Sequence, residues 1–70
     1  MFETCVDQLV KVTLTNESVK TEWMNGCLFV RTITEAQARS VFHRLSDALG
    51  VGKVAVHGIG DTGEYAFDFV

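Results

Sequence analysis

The chain has 70 residues, of which 47% are hydrophobic and 21% charged, with nine acidic and six basic side chains giving a net charge of −3. That composition describes one folded domain over residues 1–70 and excludes a disordered chain. The size excludes a deep preformed cavity, since so short a domain buries only about 60% of its unfolded surface and needs its apolar residues for the core. The basic residues Lys11, Lys20, Arg31, Arg39, Arg44 and Lys53 are scattered, so no row of cations offers itself to phosphates and direct nucleic-acid binding is disfavoured. The opening MFETCVDQ carries acids where a signal peptide carries bases, and no apolar run approaches ~18 residues. A cytoplasmic location without membrane contact is expected.

In chain order, residues 6–15 alternate in their second half, with Val10, Val12 and Leu14 against Lys11, Thr13 and Thr15, which predicts a half-buried strand. Asn16-Glu17-Ser18 reads as a turn, and residues 19–24 as a second strand. Asn25-Gly26 then supplies the positive φ angles that a two-residue type I′ hairpin demands, and residues 27–33 return as a third strand. That turn sets Met24 opposite Cys27, Trp23 opposite Leu28, Glu22 opposite Phe29 and Thr21 opposite Val30. Trp23, Leu28, Val30, Thr21 and Val19 fall on the core face. Met24, Cys27, Phe29, Glu22 and Arg31 fall on the other.

A helix follows. Thr34 and Gln37 form a capping box, Glu35 sits in the first turn, and Gly50 suits a left-handed cap. Ala38, Val41, Phe42, Leu45, Ala48 and Leu49 share an arc of about 120°, the stripe of a helix lying on a sheet. Residues 53–59 alternate as a fourth strand, Val54 and Val56 against Ala55, His57 and Ile59. Residues 64–70 make a fifth, Tyr65, Phe67 and Phe69 against Glu64, Ala66 and Asp68. A four-residue loop sets Val56 opposite Phe67, Val54 opposite Phe69 and His57 opposite Ala66. The expectation is an α+β, two-layer domain: a five-stranded, mainly antiparallel sheet with one helix on one face, βββαββ. Strand order 4-5-1-2-3 is preferred, and 1-2-3-5-4 is the alternative.

Several constellations tempt a chemical reading and fail on geometry. Gly58, Gly60 and Gly63 have dinucleotide-turn spacing, but such a turn must open a helix whose free amides hold the pyrophosphate, and EYAFDFV follows instead. Asp61-Thr62-Gly63 matches an aspartic-protease triplet, which needs a second carboxylate and a cleft that 70 residues do not supply. The Gly-Asp-Thr-Gly run reads as a hairpin loop. Ser40, His43 and Asp47 line up on a convex helix face with no oxyanion donors, so an exposed contact of His43 with Asp47 is expected there. Cys5, Cys27, His43 and His57 lack the close pairs of a zinc site. In the preferred strand order the two cysteines lie two strands apart, about 9.5 Å, beyond the ~7 Å reach of a disulfide, so both read as small buried apolar residues. No catalytic, cofactor or metal site is expected, and the chain reads as a non-enzyme.

What remains is a surface. One helix covers one face of a sheet, leaving the other bare, and a contiguous apolar group on a small protein suggests a partner. Met24, Cys27, Phe29, Arg31, Ile59 and Glu22 are the candidate protein-binding residues. The bare face, or an edge at the third or fourth strand, is expected to bind another protein or a second copy. In size and lack of motifs the chain resembles phage or mobile-element proteins that inhibit a host enzyme complex by steric occlusion in the host cytoplasm, anti-CRISPR proteins among them, a resemblance that involves no particular residues. The alternative is a homodimer with a small-molecule or catalytic site between subunits, built from His57, Glu64 and Asp68, where His57 and a carboxylate would form a pH-sensitive pair.

Overall fold

The computed structural model describes residues 2–15, 19–59 and 63–70. The elements are α1 (Phe2–Leu14), β1 (Thr21–Met24), β2 (Cys27–Val30), α2 (Glu35–Leu49), β3 (Val54–Ile59) and β4 (Glu64–Phe69). The protein is α+β, with one antiparallel sheet of four strands in the order β1-β2-β4-β3. Both helices pack into one core with the same sheet face, since Val6, Val10 and Leu14 of α1 and Ala38, Val41 and Leu45 of α2 meet Leu28, Val30, Val54 and Phe67. Among the described residues, no helix is long and apolar enough to cross a membrane.

The expected five strands and one helix, βββαββ, are corrected at the N-terminus. The segment read as a first strand is α1. Its residues satisfy both periods: Val10, Val12 and Leu14 alternate, but Val6, Val10 and Leu14 also recur every four residues with Leu9 between them. The helical face is the buried one, with Val6 and Val10 almost wholly covered, while Val12 is 65% exposed. Glu3 stands in the first turn, where the helix dipole favours an acid. The Thr13 hydroxyl donates to the Leu9 carbonyl at 2.6 Å, a bond that accommodates Thr inside a helix. Packing against α2 outweighs the β preference of the branched residues, as tertiary contacts commonly do in short helices.

Losing that strand also settles the strand order. The preferred 4-5-1-2-3 placed residues 64–70 beside 6–15, whereas β4 pairs with β2: Leu28 faces Phe67, Phe29 faces Ala66 and Val30 faces Tyr65. The two central strands are the most buried ones, with Leu28, Val30, Ala66 and Phe67 among the core residues. The hairpin registers are those expected, Met24 with Cys27 through Thr21 with Val30 around Asn25 and Gly26 at φ 53° and 80°, and Val54 with Phe69 through Ile59 with Glu64. The chain is thus an αββ unit used twice, and its strand order is symmetric when the units are exchanged.

The second helix begins as expected. Thr34 accepts from the Gln37 amide, and the Gln37 side chain accepts from the Thr34 amide. Gly50 ends it at φ 115° and ψ 148°, a positive φ but more extended than a left-handed cap. Ala48, placed in the stripe by periodicity, is exposed at its far margin. The Asn16–Ser18 turn and residues 60–62 of the glycine loop lie outside the described residues. Gly63, at φ 75°, meets the linker between β2 and α2: its carbonyl accepts from Ile33 N–H at 3.0 Å, and a Cβ there would stand 3.1 Å from the Ile33 oxygen. Strand β4, and not a helix, follows Gly63 directly.

Candidate functional site

The sheet face turned away from the helices carries the candidate residues. Strand pairing arranges it in rows: Met24, Cys27, Asp68 and Ala55; then Glu22, Phe29, Ala66 and His57; then Arg31, Glu64 and Ile59. Met24 is 50% exposed, and Phe29 and Cys27 are half-buried by their neighbours on the same face. Ala66 is buried although it points outward, because Phe29 and His57 flank it on the adjacent strands. The six expected binding residues therefore share one face. Met24, Cys27 and Phe29 adjoin one another, Glu22 and Arg31 border them, and Ile59 stands at the opposite corner, separated by Glu64.

Polar groups on this face are paired across strands. Arg31 bridges two carboxylates, Glu22 on β1 at 3.7 Å and Glu64 on β4 at closer range, linking three strands. Asp68 accepts a hydrogen bond from the Cys27 thiol through one oxygen, and His57 Nε2 lies 3.0 Å from the other. The thiol bond is the main reason the Asp68 carboxyl titrates below its ordinary range; desolvation opposes it, and the hydrogen bond and charge of His57 add to the lowering. The same bond, with desolvation and the nearby negative charge, raises the Cys27 thiol above its usual value. Cys27 is thus held as the neutral thiol.

The order of that trio decides what it can do. In an activated cysteine the imidazole touches the thiol and the carboxylate orients the imidazole. Here the carboxylate stands in the middle, so His57 has no contact with Cys27, and Asp68 opposes thiolate formation rather than promoting it. Of the alternative set, His57 and Asp68 do meet, but Glu64 is engaged by Arg31. Among the described residues, no group of three or more His, Cys, Asp or Glu has an arrangement that could hold a metal ion. Both cysteines are free thiols, but neither is the buried residue expected: Cys5 lies exposed on α1, pointing away from the Val6 and Val10 line, and Cys27 is half-buried on β2.

The other marked residues disperse. Ser40, His43 and Asp47 are exposed on α2, and the expected contact of His43 with Asp47 is absent among the described residues. His43 instead lies edge-on to Phe42, ring centroids 5.8 Å apart, while the i, i+4 pair that forms is Glu35 with Arg39 at 3.1 Å. A contact that sequence reasoning missed is on the covered side: Trp23 Nε1–H donates to Asp7 at 3.0 Å, and Phe2, Trp23 and Phe69 form an aromatic group. These join α1 to both β1 and β4. A helical reading of residues 2–14 would have placed Asp7 beside Val6 and Val10 on the inward side, where a polar partner is required. Comparison with family models, with curated proteins and with solved structures returned no match.

Proposed function

We propose that this chain is a protein-binding module that acts by covering part of its partner, with the helix-free sheet face as the working surface. The observation that supports it is the make-up of that face: exposed Met24 and half-buried Phe29 and Cys27 adjoin, with Arg31, Glu22, Glu64, His57 and Asp68 paired off around them. An apolar centre inside a rim of satisfied polar groups is the anatomy of a recognition surface. A standard interface takes about 800 Å² from each partner, about one-sixth of the 4670 Å² this domain exposes. An inhibitor of a host enzyme complex is the sharpest form of this reading, since occlusion needs area and no chemistry.

The test is capture from a lysate of the host cell by the immobilised chain, repeated with Met24→Lys plus Phe29→Glu. The variant should lose the captured protein and keep its thermal unfolding transition within a few degrees. Retained capture would remove the sheet face from the proposal, and a collapse of stability would show those side chains to be core.

A further inference from the structure

Strand β3 is the last strand in the order β1-β2-β4-β3, so among the described residues no further strand pairs with its outer side over Val54–Gly58. Its hydrogen-bonding phase can be read from the ladder. Val70 N–H donates to the Lys53 carbonyl at 3.0 Å, and the register continues with Val54 opposite Phe69. In an antiparallel pair alternate residues turn their backbone groups toward the partner. Lys53, Ala55, His57 and Ile59 therefore address β4, and Val54, Val56 and Gly58 present their N–H and C=O groups to the open side. Proline and bulges, the usual protections of an edge, are absent from Val54–Ile59, and Lys53 stands only at its beginning.

Beside this edge, on the covered side of the sheet, a groove of about 460 Å³ runs between β3 and the first turns of α2. Ala38, Phe42, Val56 and Tyr65 line its apolar part, and Gly58 opens it by having no side chain. Glu35 and Arg39 at its rim neutralise one another. A strand added to β3 would pair its residues with Val54, Val56 and Gly58. Directly paired residues point to the same face of a sheet, so those side chains of the added strand would enter the groove.

This geometry selects the occupant. A second copy joining edge to edge would bring its own Val54, Val56 and Gly58 to the seam, but Val54 is buried and Val56 half-buried in that copy's core, and Gly58 has nothing to insert. The groove would stay unfilled. An extended segment with no core of its own has its alternate side chains free. Charge sets the rest: the balanced middle favours apolar residues, and Lys53, which has no ion pair among the described residues, favours an acid at that end. We propose that β3 and the groove beside α2 receive an extended segment of another protein, which adds as a fifth strand and places two alternate apolar side chains in the groove. This surface is distinct from the helix-free face and stands or falls without it.

A display library of random peptides about seven residues long, the span of a strand, is selected on the immobilised full-length chain, and an enriched peptide is synthesised as the probe. Apolar residues at positions i and i+2 should be enriched. In hydrogen exchange, a peptide at about ten times its Kd should slow the Val54, Val56 and Gly58 amides about tenfold, leaving the outer residues Met24 and Phe29 unshifted. Gly58→Pro removes one outward donor without touching the ladder to β4 and should abolish peptide binding. If that variant is unfolded, the exchange pattern of the unaltered chain decides alone. Failure to enrich any sequence overturns the proposal, as does unchanged exchange at the three amides or their protection in the chain alone as its concentration rises, which would mark a second copy on the edge.

Discussion

The two faces of the sheet are built from the same strands and serve opposite ends. On β2 and β4, Leu28, Val30 and Phe67 are wholly buried under the helices, while their immediate neighbours Phe29 and Asp68 look outward. A one-residue step separates a side chain that holds the fold from one that meets solvent or a partner. The inner face solves its problem with shape, packing aliphatic against aromatic. The outer face does so with pairing across strands, Arg31 with Glu22 and Glu64, and Asp68 with Cys27 and His57. Burial is therefore what the fold needs from this sheet, and the outer face is free to be used.

The largest effect should separate the faces directly. Phe67→Ala removes a fully buried ring and is expected to cost about 3–5 kcal/mol, a large part of the stability of a domain this small. Phe29→Ala, on the adjacent strand and facing outward, should cost about 1 kcal/mol. Urea denaturation followed by tryptophan fluorescence measures both. Equal losses would mean that the outer face is covered too.

A smaller effect tests how α1 is fastened to the inner face. Trp23→Phe keeps the ring that packs on Phe2 and Phe69 but deletes the donor to Asp7, leaving that carboxylate half-buried without its partner. A loss of about 1 kcal/mol is expected, with faster amide exchange in α1 than in α2. Uniform acceleration across both helices would show that the bond stabilises the whole core and not the docking of one element.

The same contrast between elements explains what was legible in the sequence. The β1–β2 hairpin could be read to the residue because Asn25-Gly26 admits one turn geometry and that turn dictates every facing pair. Helix α2 could be read because its cap is local, a Thr and a Gln three residues apart. Helix α1 could not, since Val10, Val12 and Leu14 satisfy a strand period and only a partner helix, distant in sequence, shows that Val6, Val10 and Leu14 form the buried line. That misreading favoured the order 4-5-1-2-3, whereas the alternative 1-2-3-5-4 already set residues 64–70 beside residues 27–33, as β4 lies beside β2, and on that adjacency the central feature of the outer face depends. Cys27 and Asp68 are 41 residues apart and meet only because β2 lies beside β4. Alternation and the Asn25-Gly26 register were enough to place the six candidate residues on one face and to set Met24, Cys27 and Phe29 apart from Ile59 on the second hairpin, but which residues lie between the two groups required the sheet.

The smallest predicted effect concerns that Cys27–Asp68 contact and sharpens the picture of a face satisfied by pairing. In a chain carrying Cys5→Ser, so that one thiol reports, Asp68→Asn should shift the pH profile of Cys27 alkylation by iodoacetamide to lower pH, because the neutral amide no longer opposes the thiolate. An unchanged profile would show that burial, not the carboxylate, holds the thiol neutral. Stability should respond with the opposite sign of pH dependence. Asp68 titrates below its ordinary value in the folded chain, so its contribution is complete above the carboxylate range of about 3.9 and is lost as pH falls through the lowered value. The melting temperatures of the Cys5→Ser chain and its Asp68→Asn derivative should thus differ at neutral pH and converge in acid. If they converge while the alkylation profile also shifts, one carboxylate accounts for both, and Cys27 is kept on the outer face as a hydrogen-bond donor held in reserve from reactivity.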